Sequence, residues 1–163
     1  MVIDPEKSRE AIVKLSELLR FTLQYGKERF IPLKMELQEV TKYLELEQLR
    51  FGERLNISFE IPDHLQQVSI PPAMVLTLAE NAIKHGVAKH MGNGFVQIRI
   101  SEDSKDCCTV YIINTGTYQP DTSTGIGLKH VNKRLEEIYK GKASFSIVQH
   151  DQNVLASLKL PLQ

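Results

Sequence analysis

This sequence has only two cysteines, no excess of charge of either sign and no long apolar run, and each of these features argues against a class of protein. The only cysteines are the adjacent Cys107 and Cys108. Neighbouring cysteines rarely bridge, so we expect free thiols in a reducing compartment rather than a disulfide framework. Lys+Arg and Asp+Glu both number 20, which argues against nucleic-acid binding because such proteins carry a basic excess. No apolar run approaches the roughly 18 residues of a membrane span, and the charged start has no signal-peptide pattern.

The hydrophobic pattern predicts two leading helices followed by an α+β region. The first helix runs from a cap at Asp4-Pro5 to Gly26, and the second runs over 33–51. The pattern beyond Gly52 predicts, in order, a strand over 55–61, a helix over 71–87, strands over 95–101 and 109–114, a helix over 125–139, and strands over 143–150 and 154–160.

This order of elements predicts two parts in the chain. Residues 1–52 form a helical segment, and residues 53–163 form a second domain. For the second domain we expect a two-layer α+β sandwich, in which a mixed sheet of about five strands is covered by helices on one face.

The segment ENAIKHG at residues 80–86 is the first candidate site. Asn81, Lys84 and His85 stand at i, i+3 and i+4, so they share one helix face. An amide oxygen suits Mg²⁺, which bridges phosphates, and a lysine is a point charge for phosphate. His85 can donate a hydrogen bond to phosphate or fill the rim of a pocket. The alternative is a solvated face with an ion pair between Glu80 and Lys84, and this segment alone supports both interpretations equally.

Two further segments have the composition of a pocket wall. Asn114, Thr115 and Gly116 end a predicted strand on polar residues and a glycine, although an ordinary strand exit looks the same. The segment GIGL, residues 125–128, follows a polar loop and begins an amphipathic helix. Bare backbone N–H groups at a helix start can bind phosphate, although a lone Gly-x-Gly is a weak signal.

Taken in order, these segments resemble the ATP-binding catalytic domain of LytS-like sensor histidine kinases, which has the Bergerat (GHKL) fold. Residues 80–86, with Pro71-Pro72 and Leu78 before them, resemble the N box of that family. Residues 114–116 and 125–128 resemble its two Gly boxes. Upstream, the segments LLRF (18–21), YLELE (43–47) and RFG (50–52) resemble the connection between the phosphoacceptor region and the catalytic domain. The resemblance covers nearly the whole chain.

The resemblance implies a set of residue roles. Asn81 would hold Mg²⁺ against the phosphates of ATP, and Lys84 and His85 would contact phosphate or ribose. Asn114 would face the adenine amino group, and Gly116 would let the base approach closely. The second Gly box would form the phosphate-facing turn (Gly125, Ile126, Gly127 and Leu128), and residues 117–124 would be a mobile lid.

The resemblance also implies a function in bacterial two-component signalling. The chain would be a transferase that moves the ATP γ-phosphoryl group to a histidine. Its partners would be a phosphoacceptor helix of the same or a second kinase chain and a response regulator. The full-length protein would be a homodimer, anchored in the membrane with this domain in the cytoplasm.

Two departures from the family pattern stand out. The first Gly box usually begins with Asp, whereas this chain has Asn114, and the loss of charge weakens a bond to the adenine amine by about 1 kcal/mol. In addition, none of the five histidines lies in the two leading helices, where the phosphoacceptor is expected. The resemblance therefore implies a fragment that begins after the acceptor helix.

Two other functions remain open from the sequence. An ATP-hydrolysing switch of the gyrase or chaperone type would need a Glu one helical turn before the metal-binding Asn, but that position is Thr77. A nucleotide-free module of the same fold, acting in dimerisation or protein interaction, is left open by Asn114.

Overall fold

The two leading helices begin and end where their caps predict. The computed structural model describes residues 4–119 and 126–162. Helix α1 spans Pro5–Tyr25, and the Asp4 carboxylate accepts a hydrogen bond from the Glu6 amide at 3.0 Å. Helix α2 spans Leu33–Phe51 and ends at Gly52, whose φ of 61° is a conformation that glycine adopts without strain.

The five predicted strands form one mixed sheet. Its spatial order is β2-β4-β5-β7-β6, with β2 and β4 parallel and the other neighbours antiparallel. The strands are β2 Leu55–Glu60, β4 Gly94–Ser104, β5 Cys107–Thr115, β6 Ser144–His150 and β7 Asn153–Pro161. The hairpin between β4 and β5 is tighter than predicted, because its polar residues continue both strands around an irregularity between Glu102 and Ser104.

A two-stranded sheet that the sequence does not predict fastens the start of α2. Strand β1, Ile31–Pro32, pairs antiparallel with β3, Ser69–Ile70. The Leu33 and Lys34 amides continue the ladder to carbonyl oxygens of the segment that leads into β3. Strands of two residues are too short to show alternation, so periodicity cannot reveal them.

One hydrophobic core lies between the sheet and the helices on one of its faces. Helices α2, α3 (Met74–Asn81) and α4 (Ile126–Tyr139) contribute to it. Its fully buried members include Val40 and Leu44 of α2, Val75 of α3 and Ile112 of β5. This is the predicted two-layer α+β sandwich. Among the residues described, no helix is both long and apolar enough to span a bilayer.

The helix predicted over 71–87 differs from the structure at both ends. It starts late, at Met74, because Ala73 has a left-handed φ of 65°. It also stops being α-helical at Asn81 and continues as a π-helical turn, Ala82–Gly86, and a 3₁₀ turn, Val87–Lys89. The widened π-turn is a geometry found frequently at functional sites.

Candidate functional site

The N-box residues and the start of α4 face each other across an open cavity of about 430 Å³. The cavity is lined by Thr77, Glu80, Asn81, Lys84, His85, Ile126, Gly127 and Leu128. The structure therefore brings together Asn81 at the end of α3, two residues of the π-turn (Lys84 and His85) and three residues from a segment more than 40 positions later. Gly125, the remaining predicted residue of this group, lies outside the described residues.

Asn81 is placed to act on a ligand in this cavity. It is the last residue of α3 and also lines a small second cavity on the side of β5. Its side chain makes no hydrogen bond within the part of the chain that the structure describes. The amide oxygen of Asn81 is therefore available as a ligand for a hard cation.

Asn114 presents an acceptor to the second cavity. It lies at the end of β5, only 3% exposed, and lines that cavity together with Asn81, His85 and Ile147. Its Nδ2 donates to the Thr115 carbonyl oxygen at 3.0 Å. Because this bond fixes the orientation of the amide, Oδ1 is the atom left to accept from a ligand, with no donor among the described residues.

Two glycines allow the π-turn to lie against the exit of β5. A Cβ on Gly86 would lie 2.0 Å from Asn114 Nδ2, and a Cβ on Gly116 would lie 2.6 Å from the Gly86 Cα. Gly116 also has a φ of 147°. Both positions therefore exclude a side chain, and for Gly116 the close neighbour is protein backbone. The role of Gly116 in letting an adenine base approach stays a prediction.

His85 lines three cavities around the π-turn. Besides the two already described, it lines a third of about 420 Å³, together with Lys89, His90 and Thr117. Burial lowers the pKa of His85 from its ordinary 6.5, and the nearby Lys89 and Lys84 lower it further. His85 is therefore neutral at pH 7 in the free protein and can accept a proton when an anion arrives.

Gln149 lies beside the site, and no sequence motif reveals its role. Its Oε1 accepts from the Tyr118 amide at 2.6 Å, and its Nε2 donates to the carbonyl oxygens of Gly116, Asp151 and Asn153 at 3.2, 2.8 and 3.0 Å. Gln149 thus holds the first residues of the predicted lid against the β6–β7 turn. No local pattern marks a glutamine on a strand for this task, since the contact depends on strand pairing. The rest of the predicted lid, 120–124, lies outside the described residues.

The donor set suits Mg²⁺ that arrives with phosphate. No group of three or more His, Cys, Asp or Glu side chains that could hold a metal ion occurs in residues 4–119 or 126–162. Mg²⁺ keeps several waters and takes few protein ligands when phosphates supply the others. One amide oxygen from Asn81, a cationic Lys84 and the backbone at the start of α4 fit a magnesium–phosphate group.

Several known sensor proteins are similar in sequence to this chain. Residues 1–55 match the family described as Histidine kinase. The chain is 31% identical over 173 residues to the sensor protein LytS of Staphylococcus epidermidis, an alignment that covers 98% of the chain. The chain is a homologue of the LytS-type sensor histidine kinases. It is also 32% identical over 160 residues to the sensor histidine kinase BtsS of Escherichia coli. It spans 29% of the LytS relative and 28% of BtsS.

Solved structures of histidine kinases share the fold of this chain. The catalytic domain of the histidine kinase ThkA superposes with a TM-score of 0.63 at 17% identity, covering 82% of this chain and 95% of that one. The histidine kinase domain of a blue-light-activated kinase from Erythrobacter litoralis gives 0.62 at 16% identity, over 99% and 76% of the two chains. At these identities the likeness shows the fold, which confirms the predicted fold class.

Proposed function

We propose that this chain is the ATP-binding catalytic domain of a two-component sensor histidine kinase. In this proposal it transfers the γ-phosphoryl group of Mg-ATP to a histidine outside residues 1–163. The main support is that Asn81 lines both the cavity at the start of α4 and the cavity that holds the free Oδ1 of Asn114. In this proposal one molecule places its phosphates beside Asn81 and its base at Asn114, which requires the second cavity, about 10 Å³ in this structure, to widen.

Each residue has a separate task in this proposal. Asn114 Oδ1 accepts a hydrogen bond from the adenine amino group, and the backbone at the start of α4, with Lys84, binds the phosphates. Asn81 is the protein ligand of Mg²⁺, which neutralises charge on the phosphates when bound. His85 donates to a phosphate or ribose oxygen. The residues used for binding lie on α3, the π-turn, β5 and α4, so they are held by four elements of one core.

The chemistry asks little of this chain beyond positioning. A neutral imidazole nitrogen of the acceptor attacks the γ-phosphorus with its lone pair. The bond from that phosphorus to the β–γ bridging oxygen breaks, and ADP leaves with the electron pair. Because the nucleophile needs no general base here, orientation and charge stabilisation are the main contributions to the rate.

The structure gives no support to a water-activating base at the position of α3 that lies one turn before Asn81. The residue one turn before Asn81 is Thr77, and its hydroxyl donates to the Ala73 carbonyl oxygen at 2.6 Å. A threonine held in this way does not deprotonate water near neutral pH. A kinase, which needs no such base, fits this position better.

The proposed partners are a second copy of the kinase and a response regulator. Apolar side chains at helical spacing lie uncovered on one side of α1, among them Ile12, Leu15, Leu19 and Leu23, and Leu23 is 83% exposed. This face supports dimerisation of the full-length protein.

One similar structure is ThkA in complex with the response regulator protein TrrA, which supports a response regulator as the second partner. Because the substrate is ATP, we place the domain on the cytoplasmic side of a membrane-anchored parent, and we place the boundary between linker and catalytic domain near residue 52.

Titration with trinitrophenyl-ATP tests the nucleotide proposal. We expect saturable fluorescence enhancement in the presence of Mg²⁺, weaker binding after chelation, and displacement by unlabelled ATP. Asn81→Ala should remove most of the magnesium dependence. Asn56→Ala changes the same residue type at an exposed position of β2 and should leave binding unchanged. Absence of saturable binding by the folded wild-type chain would favour a nucleotide-free interaction module.

A further inference from the structure

Helix α3, which carries Asn81, lacks a capping side chain of its own. Its N-cap residue is Ala73, and no side chain within the helix bonds to its first amides. The first four N–H groups of any helix need partners from elsewhere. With eight residues, α3 is also shorter than the roughly 12 residues at which an isolated helix becomes even marginally stable in water. Its position must therefore be set by contacts from outside the helix.

A carboxylate of α2 supplies the missing cap. Glu36 Oε2 accepts a hydrogen bond from the Ala73 amide at 2.9 Å, and Oε1 accepts one from the Leu76 amide at 3.0 Å. Glu36 is 0% exposed. Two bonds from one carboxylate fix both the distance and the rotation of the first turn of α3 relative to α2, as bidentate contacts do.

Electrostatics explain how a carboxyl group is kept in this position. Burial raises the pKa of Glu36, as does Glu39 one turn along α2, while the amides of Leu76, Ala73 and Val75 act in the opposite direction. The positive end of the α3 dipole also favours a negative charge at this point. The α3 amides therefore offset part of the desolvation cost of Glu36, and removal of either partner leaves the other buried and unsatisfied.

We propose that Glu36 is a positioning residue that fixes the nucleotide-binding end of α3 to α2. A helix of eight residues is about 12 Å long, so a tilt at the Glu36 end moves Asn81 at the other end. Because α2 follows α1 in the chain and packs against it, a displacement of α2 would reach the proposed magnesium ligand through this carboxylate. The magnesium-binding role of Asn81 rests on the proposed function. The anchoring of α3 by Glu36 does not, because it rests on the two hydrogen bonds.

Glu36→Gln separates positioning from general stability. Glutamine keeps the size of the side chain, but only one of its two terminal atoms can accept, so one amide of α3 loses its partner. We expect about a tenfold loss of affinity for Mg-trinitrophenyl-ATP, which corresponds to about 1.4 kcal/mol, with a larger loss for Glu36→Ala. Faster hydrogen exchange at the amides of 73–81, measured without nucleotide, is the second expected result.

Two control variants change other buried residues of α2. Glu39→Gln removes a second buried carboxylate, which bonds to Lys42 rather than to α3, and Val40→Ala loosens the core. Both should keep affinity within about twofold when compared at equal folded fraction. Unchanged affinity and exchange in Glu36→Gln would overturn the proposal, and so would an equal loss in Val40→Ala. If wild type binds no nucleotide, the proposed function fails, and the exchange result alone decides the anchoring.

Discussion

At the scale of single residues, the proposed hydrogen bond between Asn114 and the adenine amine makes the first prediction. Asn114→Asp replaces a neutral acceptor with a charged one, so we expect Mg-ATP to bind about five- to tenfold tighter, since charge assistance adds about 1 kcal/mol. The same change places a carboxylate oxygen against the Thr115 carbonyl oxygen, which now accepts from Nδ2. Unfolding free energy should therefore fall by about 1–2 kcal/mol. Calorimetry and urea titration measure the two effects, and equal or weaker affinity would contradict the adenine assignment.

His85 makes a second residue-scale prediction, about pH. Its pKa lies below 6.5 in the free protein because of burial, Lys89 and Lys84. A bound phosphate raises it, so binding takes up a proton, and affinity should increase as the pH falls from 7.5 through 6.5. Titrations of a non-hydrolysable ATP analogue at several pH values measure this. His85→Gln serves as the control for the titration of the nucleotide itself, and an identical pH dependence in the two proteins would remove His85 from the site.

At the scale of elements, the π-turn depends on Gly86. Gly86→Ala would bring a Cβ to 2.0 Å from Asn114 Nδ2 and 2.9 Å from the Thr115 carbonyl oxygen. We expect a loss of about 2 kcal/mol in unfolding free energy from overpacking, together with weaker nucleotide binding. Gly127→Ala is the matched control, because among the described residues an added Cβ there would come close only to the Thr77 methyl carbon, at 3.1 Å, and the change should cost no more than about 0.5 kcal/mol. Equal effects in urea titrations would mean that the approach of the π-turn to β5 is not tight.

The elements also show which features a sequence can reveal. Both ends of α2 were predictable because an apolar period and a following Gly52 are local signals. The π-turn was not, since its cause is the contact of Gly86 with the exit of β5, nearly 30 positions away. Glu36 and Gln149 were missed for the same reason: their partners belong to other elements. The family motifs mark the predicted site residues, whose roles stay predictions, and the structure places those that it describes around cavities that share His85 as a lining residue.

At the scale of the whole molecule, the acceptor histidine must come from elsewhere. The five histidines stand at positions 64, 85, 90, 130 and 150, and none lies in α1 or α2. The purified chain should therefore not label itself at histidine with γ-³²P-ATP. It should label a separately supplied fragment that carries the acceptor helix of the parent kinase. Acid-labile, base-stable label on this chain alone would contradict the account, and Asn81→Ala is the control for label that does not require the site.

The proposed function requires that Mg-ATP spans the two cavities between α3, β5 and α4. The most direct measurement is a crystal structure of the chain grown with Mg²⁺ and a non-hydrolysable ATP analogue. The account predicts the Asn81 amide oxygen on the cation and the adenine amine donating to Asn114 Oδ1. An Asn81 side chain that points away from the nucleotide, or a nucleotide bound away from these residues, would contradict it.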